Sequence, residues 1–179
     1  MKPPRRDTSG ISGFLRDCFR IIPQVQSLRI LDAPCGYGRH TLWLAARGHQ
    51  VVAVDRDPDC TQEVRSRAEN SDCGGRVQCV VADIDKTMPF DIEFDAVLMV
   101  HYFSLASLRI VSSAVRPGGH FLFESVPNHG GNWKQLPQGG LVVHELTQRF
   151  EILEKDERSV GPADSNAVFI RLLARRYQT

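Results

Sequence analysis

The chain has 179 residues, 42% of them hydrophobic and 24% charged, with a formal net charge of +1. That length holds one domain with a real core and little more, and so balanced a charge exerts no global pull toward nucleic acid or an anionic membrane surface. Cys18, Cys35, Cys60, Cys73 and Cys79 show no C-x-x-C spacing, which points to free thiols in a reducing compartment instead of a disulfide framework.

Residues 1–10, MKPPRRDTSG, are expected to form a flexible N-terminus, with 11–179 as a single domain. This stretch is basic but has no apolar segment behind it, so no secretory signal is expected. No apolar run is long enough to cross a bilayer; a cytoplasmic location follows as the expectation. The histidines are scattered without H-x-H or H-E-x-x-H spacing, so no metal site is expected. From Ile11 to Ile22, apolar Ile11, Phe14, Leu15, Phe19 and Ile22 recur at helical steps and predict a short amphipathic helix. This helix, which carries Phe14 and Arg16, is expected at the least to cover a sheet.

The next stretch, Leu28 to His40 (LRILDAPCGYGRH), organises the chain. Leu28, Ile30 and Leu31 predict a strand ending in a carboxylate, Asp32. Gly36 and Gly38 then allow the backbone to turn close to a ligand. Arg39 to Arg47 reads as a helix closed by Gly48. Strand, glycine turn and helix start together make a nucleotide cradle. A dinucleotide fingerprint wants G-x-G-x-x-G/A, whereas here Thr41 holds the third position and Asp32 stands four residues before the first glycine. A diphosphate is repelled by that carboxylate, but a sulfonium nucleoside with an amino-acid ammonium is attracted by it, helix-end N–H groups taking the carboxylate.

Val51 to Val54 is a β-branched run of the kind buried in parallel sheets, ending at Asp55. This acid lies about 20 residues beyond the glycine loop, where nucleotide folds place a carboxylate on the ribose diol. Asp57-Pro58 serves as N-cap and first residue of a helix to about Asn70, which leaves Asp55 free for the ribose. The D-x-x-x-G-x-G pattern, with GRH, a helix and the GHQVVAVDRD strand behind it, resembles class I S-adenosylmethionine (SAM)-dependent methyltransferases, and within them the small tellurite-resistance and thiopurine-type enzymes. Pro34 stands where that family has its first glycine.

Val77 to Ala82 predicts a third strand, ending in Asp83-Ile84. The resemblance implies that this acid faces the adenine amino group while Ile84 packs against the ring. Phe94 to Val100 predicts strand four, Phe103 to Val115 a helix stopped by Arg116-Pro117-Gly118-Gly119, and His120 to Val126 strand five. Pro127 to Gly140 predicts a long loop at the carboxyl edge of the sheet, a candidate lid around Trp133. Leu141 to Phe150 reads as a helix, Glu151 to Arg158 and Ala167 to Ala174 as strands six and seven, joined through GPADSN and hence antiparallel. The expected fold is an α/β, Rossmann-like doubly wound sheet, mostly parallel, with an antiparallel C-terminal strand in the seven-strand methyltransferase order and three layers α/β/α.

The resemblance implies SAM as cofactor, S-adenosylhomocysteine (SAH) as product, and Asp32, Cys35, Gly36, Gly38, Asp55, Arg56, Asp83, Ile84 and His101 as its contacts. His101 and Tyr102, following strand four at the substrate-facing position, are the candidate catalytic residues, with His129 and Trp133 as further wall residues. Methyl transfer needs alignment more than a strong base. VHYF stands where enzymes that methylate nucleic-acid amines carry N-P-P-Y, so a small-molecule acceptor is expected, with no nucleic-acid or membrane partner, in a monomer or homodimer. Two other readings stand beside it. One is RNA or nucleobase methylation through Arg5, Arg6, Arg171, Arg175 and Arg176. The other is a SAM-binding, non-catalytic interaction module.

Overall fold

The computed structural model describes residues 11–23, 27–125, 133–162 and 164–178. Seven strands, β1 (Arg29–Asp32), β2 (Gln50–Asp55), β3 (Val77–Val81), β4 (Phe94–Val100), β5 (Val115–Ser125), β6 (Phe150–Ser159) and β7 (Val168–Arg176), form one sheet in the order β3-β2-β1-β4-β5-β7-β6. Pairing is parallel from β3 through β5, and β7 runs antiparallel to both β5 and β6. The expected doubly wound architecture and closing hairpin are present. The short apolar runs at its centre are explained by two-sided burial: Ile30, Leu31, Ala96, Val97 and Leu98 are all 0% exposed, as parallel strands between helical layers require.

Helices α1 (Gly13–Ile21), α2 (Arg39–Ala45) and α3 (Pro58–Glu69) cover one face. Leu15 and Phe19 of α1 and Leu44 of α2 pack with Ile30, Leu98 and Val100, while Val64 of α3 closes on Cys35 and Ala53. Helices α4 (Leu105–Ser113) and α5 (Leu141–Thr147) cover the other face, where Leu108, Val111, Val142 and Leu146 meet Val97, Met99, Phe121 and Phe123. The chain turns one way from β1 to β2 and β3 and then returns to β4, so the loops after β1 and β4 part and open a crevice at the carboxyl edge.

Some boundaries differ from the sequence reading. Arg116-Pro117-Gly118-Gly119 lies inside β5: pairing jumps from Phe94↔Val115 to Ala96↔His120. Pro117 has no N–H for the ladder, and the surplus residues bulge out while the strand continues. Helix α4 starts at Leu105 and not Phe103 because Ser104 caps it, accepting from the Ser107 amide at 3.0 Å while the Ser107 hydroxyl pairs with the Ser104 amide. Phe150 belongs to β6 and is 0% exposed. Among the described residues, no helix is long and apolar enough to cross a membrane, and all five cysteines are free.

Candidate cofactor and acceptor site

Asp32 closes β1 with its side chain turned inward, 1% exposed. The Thr41 hydroxyl, from the first turn of α2, donates to its Oδ2 at 2.6 Å. Its Oδ1 is buried with no hydrogen-bond partner among the described residues. Burial raises its pKa to about 6, against the opposing pull of Thr41 and Arg39. A desolvated carboxylate with one vacant oxygen is costly unless a cationic donor arrives.

The turn after it is held from two sides. The Cys35 amide donates to the Val54 carbonyl at 2.8 Å and the Gly38 amide to the Cys35 carbonyl at 3.0 Å. Gly36 and Gly38 have φ of 50° and 75°, the left-handed region where a Cβ is penalised. The Cys35 side chain is turned into the small core with Ala53 and Val64, and burial pushes its thiol well above the ordinary range. Only the backbone at this position is left for a ligand. The Ala33–Pro34 peptide is cis.

Asp55 ends β2 within reach of this turn. Its Oδ2 accepts the Gly36 amide at 2.9 Å and its Oδ1 the Asp57 amide at 3.0 Å. Asp57 caps α3, accepting the Asp59 amide at 2.9 Å, as its place before Pro58 implies. Asp55, which the sequence left free of helix capping, thus holds the glycine turn. Each carboxylate oxygen keeps a lone pair for a further donor. Removing the carboxylate with Asp55→Ala is expected to weaken SAM binding by about 1 to 3 kcal/mol and to lower the melting temperature, since two amides lose their acceptor. Calorimetry and thermal melts check this; unchanged affinity in the folded variant would leave Asp55 with a turn-holding role alone.

Asp55, Arg56, Asp83 and Ile84 come together around one cavity of about 160 Å³, with Pro34, Ala82, Asp85 and Tyr102 completing its lining. Pro34 thus supplies an apolar wall where a glycine would leave space. Asp83 pairs with Lys86 at 3.2 Å and accepts the Asp85 amide at 3.2 Å; the bond from Lys86 holds its carboxyl below the usual range. Asp85, which had no role in the sequence reading, receives the hydroxyls of both Tyr102 and Ser104 and so ties the cavity wall to the cap of α4. Burial and Asp85 raise the Tyr102 phenol to about 12. The phenol is a donor already in use, and Tyr102 lines the same cavity as Asp55 and Asp83.

His101 follows β4 with φ 61°, a strained conformation for a residue with a Cβ. Its amide donates to the Glu124 carbonyl at 2.8 Å, and its side chain is exposed at the carboxyl edge. Glu124 itself is 3% exposed; it accepts the Ser12 hydroxyl at 2.5 Å and the Arg171 guanidinium at 3.2 Å. The N-cap of α1 is thereby fastened over the end of β5. Phe14 is partly buried in the α1 core and Arg16 is exposed. Of the expected lid, residues 127–132, including His129, lie outside the described residues. Trp133 begins a short 3₁₀ turn, and 137–139 are fastened to the β6–β7 connection, with Val168 donating to the Pro137 carbonyl and Gly139 to the Asn166 carbonyl, both at 2.9 Å.

The family described as "Methyltransferase domain" matches residues 30–119, the half of the chain that carries β1 to the start of β5 and, with them, Asp32, Asp55 and Asp83. The chain belongs to this family and has the fold of the class I SAM-dependent methyltransferases. It is 34% identical over 114 residues to the ubiquinone biosynthesis O-methyltransferase of Methylocella silvestris, covering 61% of this chain and 43% of that protein. It is 31% identical over 112 residues to the tRNA 5-carboxymethoxyuridine methyltransferase of Escherichia coli, covering 58% of this chain and 43% of that protein. The chain thus spans less than half the length of these curated relatives. Crystalline TehB from Haemophilus influenzae superposes with a TM-score of 0.70 at 18% identity, covering 93% of this chain and 62% of that one.

The residues present fit the family's cofactor. The vacant buried Asp32 Oδ1 suits an ammonium, a Cβ built on Gly36 meets nothing within 4 Å, so the space beside that turn is open, and the cavity by Asp55 is lined by Asp83 and Asp85 as well as by apolar Pro34, Ala82 and Ile84.

Proposed function

We propose that the protein transfers a methyl group from SAM to a small-molecule acceptor. The observation that carries the reading is Asp32 Oδ1, a buried carboxylate oxygen without a partner, at the strand end that faces the glycine turn. When bound, SAM supplies a methyl on a sulfonium, reactive by in-line displacement. The chain contributes position: Asp32 would hold the ammonium, Asp55 the ribose, and Asp83 and Ile84 the adenine. Such alignment supplies most of the rate in a displacement that needs no strong base.

Two observations favour a small acceptor over RNA. The arginines proposed for phosphate contact and lying among the described residues are engaged with carboxylates: Arg171 with Glu124, Arg175 with Glu151 and Arg176 with Glu93. They form no open basic track of the kind a nucleic-acid backbone requires. His101 stands exposed and strained at the end of β4, outside the lining of the cavity by Asp55, where it can receive a compact acceptor. Tyr102, with its phenol on Asp85, acts as a wall of the cofactor cavity.

His101→Asn is the sharpest test of that placement, because Asn tolerates positive φ and the change is chemical more than conformational. The expected result is a fall in kcat of roughly 10- to 100-fold, below the range for loss of an obligatory base, with SAM affinity unchanged within a few-fold. The reaction itself is tested by following methyl transfer from radiolabelled SAM to thiols, tellurite, phenols and carboxylic acids beside unmodified tRNA. Turnover on tRNA alone overturns the small-acceptor reading, and SAM binding without turnover on any acceptor makes the protein a binding module.

A further inference from the structure

His40 is buried to 6% exposure, and its Nε2 has no hydrogen-bond partner among the described residues. It lies in the first turn of α2, one residue before the Thr41 that donates to Asp32. Helical side chains lean toward the N-terminus of their helix, so the imidazole is carried toward the Gly36–Gly38 turn and the carboxyl edge of the sheet. One turn later on the same face, Leu44 packs in the core that includes Val100, the residue before His101. His40 therefore stands between the ends of β1 and β4. At this edge the two unpartnered buried atoms are Asp32 Oδ1 and His40 Nε2; the third such atom in the described chain, Glu157 Oε2, belongs to β6.

We infer that His40 Nε2–H and Asp32 Oδ1 together receive the α-amino-acid end of the cofactor, His40 donating to the carboxylate while Asp32 accepts from the ammonium. The inference rests on the SAM reading above and assigns the half of that ligand that the sequence left to backbone amides. Three amides of the turn and helix start already have acceptors: Gly36 donates to Asp55, Gly38 to Cys35 and Leu42 to Gly38. One acceptor-only atom and one atom able to donate match the two charges of a zwitterion. Burial, with help from Arg39 and His101, pushes the His40 pKa down to about 3. The imidazole is thus neutral at physiological pH, and it can donate from one nitrogen without adding a charge to the site.

The test compares two ligands by calorimetry on the full chain: SAH, and 5′-methylthioadenosine, which keeps the adenosine and sulfur but lacks the amino-acid end. His40→Leu is expected to weaken SAH binding roughly 10- to 100-fold, the worth of a charge-assisted hydrogen bond, and to leave methylthioadenosine binding unchanged within about twofold. His40→Gln, whose amide nitrogen can reach the same place, should restore most of the SAH affinity. In the absence of ligand, His40→Leu should melt at a higher temperature, because it removes a buried unpartnered nitrogen; a merely structural histidine would give a lower one. Equal SAH affinity in His40→Leu, or equal losses for both ligands, overturns the inference. Should the Leu variant not fold, the contrast between Gln and Asn at position 40 decides, since Asn is too short to reach. If the unaltered protein binds neither ligand, the SAM reading fails and takes this inference with it, an outcome distinct from failure at position 40 alone.

Discussion

Asp32→Asn is expected to weaken SAM and SAH binding by roughly 100-fold while making the ligand-free protein more stable. The two effects share one cause. Asp32 is 1% exposed, its Oδ1 has no partner, and burial raises its pKa from 3.8 to about 6. Holding that charge at neutral pH costs the folded state about 1 to 3 kcal/mol, at ~1.4 kcal/mol per pKa unit. The asparagine keeps an oxygen for the Thr41 hydroxyl and removes the charge, so melting should rise by several degrees, ~2–4 °C per kcal/mol for a domain of this size. Without the carboxylate, nothing balances a bound ammonium, and affinity should fall by roughly 100-fold or more, as for other unpaired charges in dry sites.

The pH dependence gives the sign an independent check. The folded pKa is the higher one, so between about 4 and 6 the folded chain holds a proton that the unfolded chain has released. The contribution of Asp32 is therefore neutral below about pH 4 and becomes destabilising as pH rises to 6, with no further change above. Thr41 and Arg39 oppose this shift and Asp55 reinforces it. Cofactor affinity runs the other way, falling about tenfold per unit below pH 6 as the carboxyl takes up its proton. The Asn variant should lose both slopes. Thermal melts and calorimetry from pH 4.5 to 8 measure them; parallel profiles for the two proteins would remove Asp32 from the ammonium site.

Gly38→Ala is expected to lower stability by about 2 to 4 kcal/mol, the sum of a left-handed backbone penalty and overpacking. Its φ is 75°, and an added Cβ would lie 2.6 Å from Val64 Cγ2 and 3.0 Å from Cγ1. Val64 is 0% exposed in α3, so it cannot yield without shifting the helix. Gly36→Ala should behave differently. Its φ is 50°, but nothing lies within 4 Å of the new Cβ, so the stability cost is limited to roughly 1 kcal/mol of backbone strain. A cofactor held by Asp32 would approach through this open space, so the milder variant is expected to lose SAM binding. The two glycines of one motif then separate into one that joins two helices and one that admits a ligand. Melting curves and calorimetry on both variants distinguish them; normal SAM affinity in folded Gly36→Ala would displace the ligand from this turn.

Local signals carried the fold far. Apolar and β-branched runs located the strands because burial between helices demands continuous apolar segments, and the Asp57-Pro58 pair marked the start of α3 because capping is a matter of neighbouring residues. The acids at the ends of β1, β2 and β3 were legible as a series for the same reason: each follows directly from its own strand. What depended on residues distant in sequence was not legible. That Asp55 holds the Gly36 amide, that Asp85 receives Tyr102 and Ser104, and that Glu124 fastens Ser12 of α1 are contacts spanning 17 to 112 positions. His40 was visible in the GRH triplet but had no role, since an unpartnered nitrogen is a property of the assembled surroundings. Sequence by itself determined the order of elements and the chemistry at strand ends, because those are set by local burial and capping. The tertiary structure alone decided which polar atoms are left without partners, because only the packed chain removes water from them.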